Sequence, residues 1–239
     1  KVIEPLKELY KDEVRKLGME IGLPNNLVWR KPFPGPGLAI RVLCSSGKEI
    51  VSRDLNEKIK KIAKKFGFDA TVLPVKAVGV QGDFRTYRFV CALSGKLDWK
   101  KIEKASTALT NESKEINRVV FCLQPKKILN AESFEAFLSK ERVSFLQECD
   151  DAVMDEIEKN KKAGFDIWQF PVVLLPLKIN GENEAIVLRP VSSAEAMTAN
   201  FYPLNEKLLK KVLHRLSKVK AKNVFFDVSH KPPATIEWE

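Results

Sequence analysis

An order of elements that occurs twice narrows the folds open to this chain more than any single residue does. In the first half, residues 55–66 read as an amphipathic helix, with Ile59, Ile62, Ala63 and Phe66 on one face and lysines on the other. Residues 71–78 read as a strand, Gly79-Val-Gln-Gly-Asp83 as a turn, and residues 84–93 as a long, partly alternating strand. Trp99, Ile102, Ala105, Ser106 and Leu109 fall at helical spacing, and residues 117–123 are apolar enough for a central strand. The same order then returns. Phe145, Cys149, Val153 and Ile157 mark a helix ending near Gly164, and residues 172–178 and 185–191 read as strands about a turn at Asn180-Gly-Glu-Asn. Leu208, Leu209, Val212, Leu213, Leu216 and Val219 mark another helix, and Asn223-Val-Phe-Phe closes the set. Leu73-Pro-Val-Lys matches Leu175-Pro-Leu-Lys, 102 residues on, and Asn117-Arg-Val-Val-Phe matches Asn223-Val-Phe-Phe, with Phe121 and Phe226 lying 105 apart. The expectation is an α+β fold of two repeated α-β-β-α-β units, each a mainly antiparallel sheet with helices on one face, packed as a pseudo-dimer. Chance similarity between two common layouts is the alternative, because the identity is weak.

Ahead of the repeats, Leu6, Leu9, Tyr10, Val14 and Leu17 recur at helical spacing, with Gly18 where a C-cap would sit. A chain that opens at Lys1 within a helix is expected to be a piece of something longer. Pro32-Phe-Pro-Gly-Pro-Gly37 excludes helix and central strand and reads as a rigid connector. A phosphate cradle is the other reading, but no GKS/T ending or following helix supports it. Residues 38–43 read as a short strand. The organisation expected is 1–31 as a helix and linker, 32–130 as the first α/β unit, and 131–239 as the second unit with its tail.

Lys+Arg 41 against Asp+Glu 31 gives a formal charge of +10, which favours anionic partners without choosing among phosphate ligands, nucleic acid and acidic proteins. Cys44, Cys91, Cys122 and Cys149 are far apart, form no CxxC pair, and read as buried thiols of a reducing, cytoplasmic setting. No metal-ligand spacing, membrane span or signal peptide is read.

The chemistry-bearing stretch is the tail, Lys231-Pro-Pro-Ala-Thr-Ile-Glu-Trp-Glu239. Its prolines stiffen the backbone. Lys231, the Thr235 hydroxyl and the Glu237 carboxylate suit a ligand with a phosphate at one end and N–H donors at the other. The plainer reading is a clamp that packs Trp238 and leaves the charges in water. In the turn, Asp83 can accept from a ribose diol and Arg85 can grip a phosphate, or the two form a solvated ion pair. Gly79-Val-Gln-Gly82 also fits the GXXG loop of KH RNA-binding modules, although that loop joins two helices and strand-like sequence flanks it here. His214 and His230 are isolated, and the basic run from Lys207 to Lys222 reads most simply as the wet face of its helix, with an acidic partner as the alternative.

Taken together, Pro32-Phe-Pro-Gly-Pro-Gly-Leu-Ala-Ile-Arg41, Val78-Gly-Val-Gln-Gly-Asp83, Met197-Thr-Ala-Asn-Phe-Tyr202 and the tail resemble, in that order, the C-terminal part of the GMP synthase family. The opening Ile3-Glu-Pro-Leu-Lys-Glu-Leu-Tyr-Lys-Asp-Glu-Val-Arg15 does too. The resemblance implies an enzyme that aminates XMP to GMP. One domain releases ammonia from glutamine, a pyrophosphatase domain adenylates XMP with MgATP, and the C-terminal domain mediates assembly and supplies much of the XMP pocket. It implies that residues 1–31 end the pyrophosphatase domain. It places Lys231 and Arg85 near the XMP phosphate, Asp83 on the sugar side and Glu237 as acceptor for the xanthine N–H groups. Thr235 belongs to the same tail, and Gln169 matches a contact of the longer, eukaryotic-type members. The family's ATP loop and its amidotransferase Cys/His/Glu set are absent from this sequence. The chain is therefore expected to be inactive alone, to contribute no catalytic group or metal ligand, and to leave ATP and Mg2+ to the pyrophosphatase domain. Expected partners are XMP or GMP, the pyrophosphatase domain, and either a second copy or the internal pseudo-dimer. Membrane and nucleic acid are not expected. Residues from about 96 to 186 are missing from the short bacterial-type members, and the longer ones carry two units. A KH-like module and a purely structural assembly domain remain the alternatives.

Overall fold

The computed structural model describes residues 2–29, 35–81, 84–160, 167–193 and 197–239, in two compact units, Lys1–Pro34 and Gly35–Glu239. The first unit holds helix α1 (Lys11–Glu20) and a helical turn, Asn25–Val28. Gly18 does not end α1 as its spacing suggested. The helix runs on to Glu20, and a Cβ on Gly18 would meet Val28 Cγ2 at 3.4 Å, an ordinary van der Waals contact. Residues 30 and 31, and residues 32–34 of the connector, lie outside the described residues.

Each long helix of the second unit begins on a side chain that accepts an orphan N–H. Ser52 Oγ accepts from Leu55 N at 3.2 Å at the head of α2 (Arg53–Lys64). Asp98, Ser139 and Asn205 do the same for α3 (Trp99–Glu112), α4 (Lys140–Lys159) and α5 (Glu206–Lys218). Six strands, β1 (Asp69–Gln81), β2 (Phe84–Ser94), β3 (Ile116–Gln124), β4 (Val172–Leu175), β5 (Ala185–Leu188) and β6 (Val224–Asp227), join in one main sheet of order β1-β2-β3-β6-β5-β4, with short two-stranded ladders beside it.

Across that sheet the pairings run antiparallel, parallel, antiparallel, parallel, antiparallel. The series is the same from either edge, so a pseudo-twofold axis passes between β3 and β6. Phe121 faces Phe226 across this seam, as two residues related by a twofold must where the axis passes. The register carries the relation outward. Leu93 lies beside Phe121 and Leu188 beside Phe226, and three residues back on those strands Val90 faces Leu73 while Ala185 faces Leu175. The two residue pairs matched by sequence occupy equivalent places, and the pseudo-dimer is one continuous sheet. Fusion at the seam leaves neither β3 nor β6 with an open edge.

Both parallel pairs need a crossover, which α3 and α5 supply. Helices α2 to α5 lie on one face, where Ile59, Ile102, Val153 and Val212 pack with Val72, Cys91, Val119 and Phe226. The opposite face buries Leu73, Val90, Val120, Val187 and Phe225, with Trp238 of the tail among them. Residues 38–43 are not a strand. Gly37–Arg41 winds as a 3-10 turn entered at a Gly37 φ of +69°, and the chain meets the sheet just after it, where Val42 bridges to Leu174 and Leu43 N donates to Leu174 O at 2.9 Å.

Candidate functional site

The tail lies along the outer edge of β1. Val78 N donates to the Trp238 carbonyl at 2.9 Å and Val80 N to the Pro233 carbonyl at 2.7 Å, with Gly79 bridging to Ala234. A Cβ on Gly79 would lie 2.5 Å from the Pro233 carbonyl oxygen and 2.6 Å from Asn117 Nδ2. The expected turn at residues 79–83 is therefore strand as far as Gln81, and the glycine is what lets the tail close on it. The helix–GXXG–helix setting of a KH module is absent at Gly79. Gly82 and Asp83 lie outside the described residues.

The tail rests on three charged side chains that no sequence pattern picked out. Arg118 of β3, Asp227 of β6 and Arg189, just past β5, are fully buried. Arg118 Nη1 reaches Asp227 Oδ2 at 2.7 Å, and Arg189 Nη1 reaches Asp227 Oδ1 at 2.7 Å. Burial works to raise the Asp227 carboxyl, but the guanidinium groups of Arg189 and Arg118 hold it below its ordinary range. Burial pulls Arg118 down to about 10, against the opposing pull of Asp227. Two guanidiniums and one carboxylate leave one positive charge without water, and tail carbonyls meet it. Arg118 Nη2 donates to Thr235 O and Glu237 O at 3.1 Å and to Val78 O at 3.1 Å. Arg189 Nη2 donates to Thr235 O at 2.8 Å and its Nε to Ile236 O at 2.9 Å. Trp238 Nε1 donates to Asp227 Oδ2 at 3.1 Å, and its ring lies 4.5 Å from the Arg118 guanidinium carbon. The signal available in the sequence was a charge inside an apolar strand, Arg118 in Asn117-Arg-Val-Val-Phe and Asp227 after Val224-Phe-Phe, since such charges are seldom buried unpaired.

This lock holds the backbone of two of the expected site residues, Thr235 and Glu237. The Thr235 hydroxyl lies 2.8 Å from the Val78 carbonyl and 2.5 Å from the Glu237 carbonyl, and accepts from Arg118 Nη2 at 3.2 Å, which engages it within the protein. The Glu237 carboxylate is gripped by Arg41, with Nε to Oε2 at 3.1 Å and Nη2 to Oε1 at 3.0 Å. The 3-10 turn that replaced the expected strand delivers Arg41 to this point. Asp150 of α4 also feels Arg41. Burial pushes its carboxyl up to about 6 against the lowering pull of that guanidinium, and its Oδ1 is buried without a hydrogen bond.

Lys231 pairs with Ala199 in both directions, N to O at 2.8 Å and O to N at 3.2 Å. From there the ladder continues, because Val191–Ser192 pairs with Asn200–Phe201 and Gln169 bridges to Val191. Gln169 is nearly buried and thus joined to Lys231 through three short rungs. On the other flank of the tail, exposed Arg85 of β2 sits opposite Val80, whose N–H holds Pro233. Arg85, Lys231 and Gln169 therefore belong to one run of neighbouring backbone, while Glu237 lies beyond Thr235 at Arg41. His230 is not isolated. Its Nε2 is 3.2 Å from Glu103 Oε1 and its ring centroid 5.6 Å from that of Phe201.

Lys207, Lys210, Lys218, Lys220 and Lys222 are exposed on and after α5, while Arg215 ties α5 to Asp155 and Glu156 of α4. Of the four thiols expected to be buried, Cys91, Cys122 and Cys149 are, but Cys44 is exposed, because it lies past the bridge at Val42 where the chain leaves the sheet; all four are free. Among the described residues, no group of acidic, His and Cys side chains forms a metal cluster, and no helix is long and apolar enough to cross a membrane.

Residues 155–238 match the family described as GMP synthase C terminal domain. The whole chain aligns, at 40% identity over 248 residues, with a probable glutamine-hydrolyzing GMP synthase of Leptospira interrogans, and spans 40% of that protein. It aligns in full, at 30% identity over 314 residues, with a probable glutamine-hydrolyzing GMP synthase of Caenorhabditis elegans, of which it spans 42%. A glutamine-hydrolyzing GMP synthase of Staphylococcus aureus is 40% identical over 146 residues, which covers 52% of this chain and 28% of that protein.

Proposed function

We infer, from the premise that residues 155–238 are a GMP synthase C-terminal domain, that this chain supplies the XMP-binding pocket and the assembly core of a longer glutamine-dependent synthase that aminates XMP to GMP. The observation that carries the reading is the buried Arg118–Asp227–Arg189 lock. It commits fully buried charges to holding a tail that would otherwise fray, so the position of the tail matters. Lys231 and Arg85 would take the phosphate, Asp83 the ribose, and Glu237 the N–H edge of the base, with Gln169 at the end of the Lys231 ladder. Thr235 would act as a brace of the tail. ATP and Mg2+ would be handled by the remainder of the synthase. Assembly would be internal, because the seam between β3 and β6 already joins the two repeats.

The test is Lys231→Ala in the longer synthase. Loss of a charge-assisted phosphate contact is expected to raise the KM for XMP about tenfold or more while the KM for ATP stays as in the parent. An unchanged KM for XMP would remove the site assignment.

A further inference from the structure

Arg41 closes the proline- and glycine-rich motif, and the reading above gives it no task. Its side chain is 3% exposed, and two edges of its fork meet Glu237 at once, at 3.1 and 3.0 Å, across 196 positions of sequence. A bidentate guanidinium occupies two of the four lone-pair sites of a carboxylate and fixes the plane of the group. The remaining sites point away from Arg41, and 21% of the Glu237 side chain is exposed. The backbone of Glu237 is held separately, its carbonyl accepting from Arg118 Nη2 at 3.1 Å. Arg41 is itself framed by a second carboxylate, Asp150, on the helix packed against its turn. Glu237 is thus fixed at both ends and offers acceptors only.

We propose that Arg41 is a specificity-determining positioning residue, aiming Glu237 so that the site accepts purine nucleotides with an N–H at ring position 1, the 6-oxopurines, and refuses 6-aminopurines. The proposal rests on the XMP reading of the site. In adenine, N1 carries a lone pair in place of the N–H. Set against Glu237 it would face acceptor with acceptor and leave both unpaired, which is the situation that lets a polar site reject a near-isostere strongly. Arg41 matters because a carboxylate free to rotate could turn its lone pairs aside and let adenine in. Lysine is not an equivalent, since it brings the charge without the fork.

The experiment uses the longer synthase, with XMP affinity measured directly and AMP affinity by its displacement of bound XMP, so that AMP held elsewhere does not count. The parent protein is expected to prefer XMP by about a hundredfold or more. Arg41→Gln is expected to weaken XMP about tenfold and leave AMP unchanged, so that discrimination falls by the same factor. Arg41→Lys is expected to fall between the two, and it serves as the test if Arg41→Gln does not fold. Equal losses of both nucleotides would make Arg41 a mere brace and overturn the proposal. A parent protein that binds XMP but does not prefer it to AMP would overturn this proposal alone. One that binds no XMP would overturn the reading of the site itself.

Discussion

Replacing Asp227 with Asn removes the one carboxylate that two fully buried guanidiniums share. The shape barely changes, so the effect is electrostatic. Two ion pairs at 2.7 Å disappear, and the new amide group must turn its own N–H donors toward one of the guanidiniums. One of the bonds from Trp238 Nε1 and Ser229 N to the carboxylate oxygens is also put at risk. Leaving buried charge without its partner costs about 3–5 kcal/mol, a large share of the ~5–15 kcal/mol that holds a domain together. The protein has one way to limit that cost, which is to let the tail go so that water reaches Arg118 and Arg189. The assay therefore needs two readouts. Urea unfolding gives the global loss, and hydrogen exchange at Val78 and Val80, whose N–H groups donate to the Trp238 and Pro233 carbonyls, gives tail release. Lys222→Ala, which breaks an exposed pair with Glu182 at 2.8 Å, is the control and is expected to cost under about 1 kcal/mol. If Asp227→Asn loses no more than this control and leaves Val78 and Val80 as protected as before, the argument that the lock holds the tail is wrong.

Gly79→Ala would put a Cβ 2.5 Å from the Pro233 carbonyl oxygen, so a loss of about 1–3 kcal/mol is expected in urea unfolding, together with faster exchange at Val80. Asp150 titrates in the fold at about 6 instead of near its ordinary 3.8, so the native state holds its proton longer, and this group costs stability as pH rises from about 4 to 6 and stays costly above. Asp150→Asn is therefore expected to match the parent near pH 4 and to exceed it by up to about 3 kcal/mol at pH 7.5, read from denaturant midpoints at the two pH values. Burial pushes the Cys91 thiol far up and those of Cys122 and Cys149 to about 12, while Cys44 is exposed, so an aromatic disulfide reagent is expected to label Cys44 quickly and the other three only on unfolding.

Of the site, the sequence showed the tail and the Arg85 side of the hairpin but not what they rest on. The tail was legible because Pro232 and Pro233 constrain the backbone locally and Trp238 offers a large apolar anchor. Arg118 and Asp227 were not, because one charge in an apolar strand says nothing about a partner 109 positions away. Arg41 was hidden because residues 38–43 read as a short strand, whereas Gly37 admits a positive φ that opens a 3-10 turn there.

What the sequence by itself determined is the repeated α-β-β-α-β order and the equivalence of Leu73 with Leu175 and Phe121 with Phe226. These follow from side-chain periodicity, which each segment carries within itself. What only the tertiary structure decided is how the repeats meet and what their meeting holds. The seam aligns Phe121 with Phe226, and near it Arg118 of one repeat and Arg189 of the other converge on Asp227. Tail carbonyls complete that buried charge balance, and Arg41 then finds Glu237. Such contacts depend on distances across the folded chain, and no local pattern of residues encodes them.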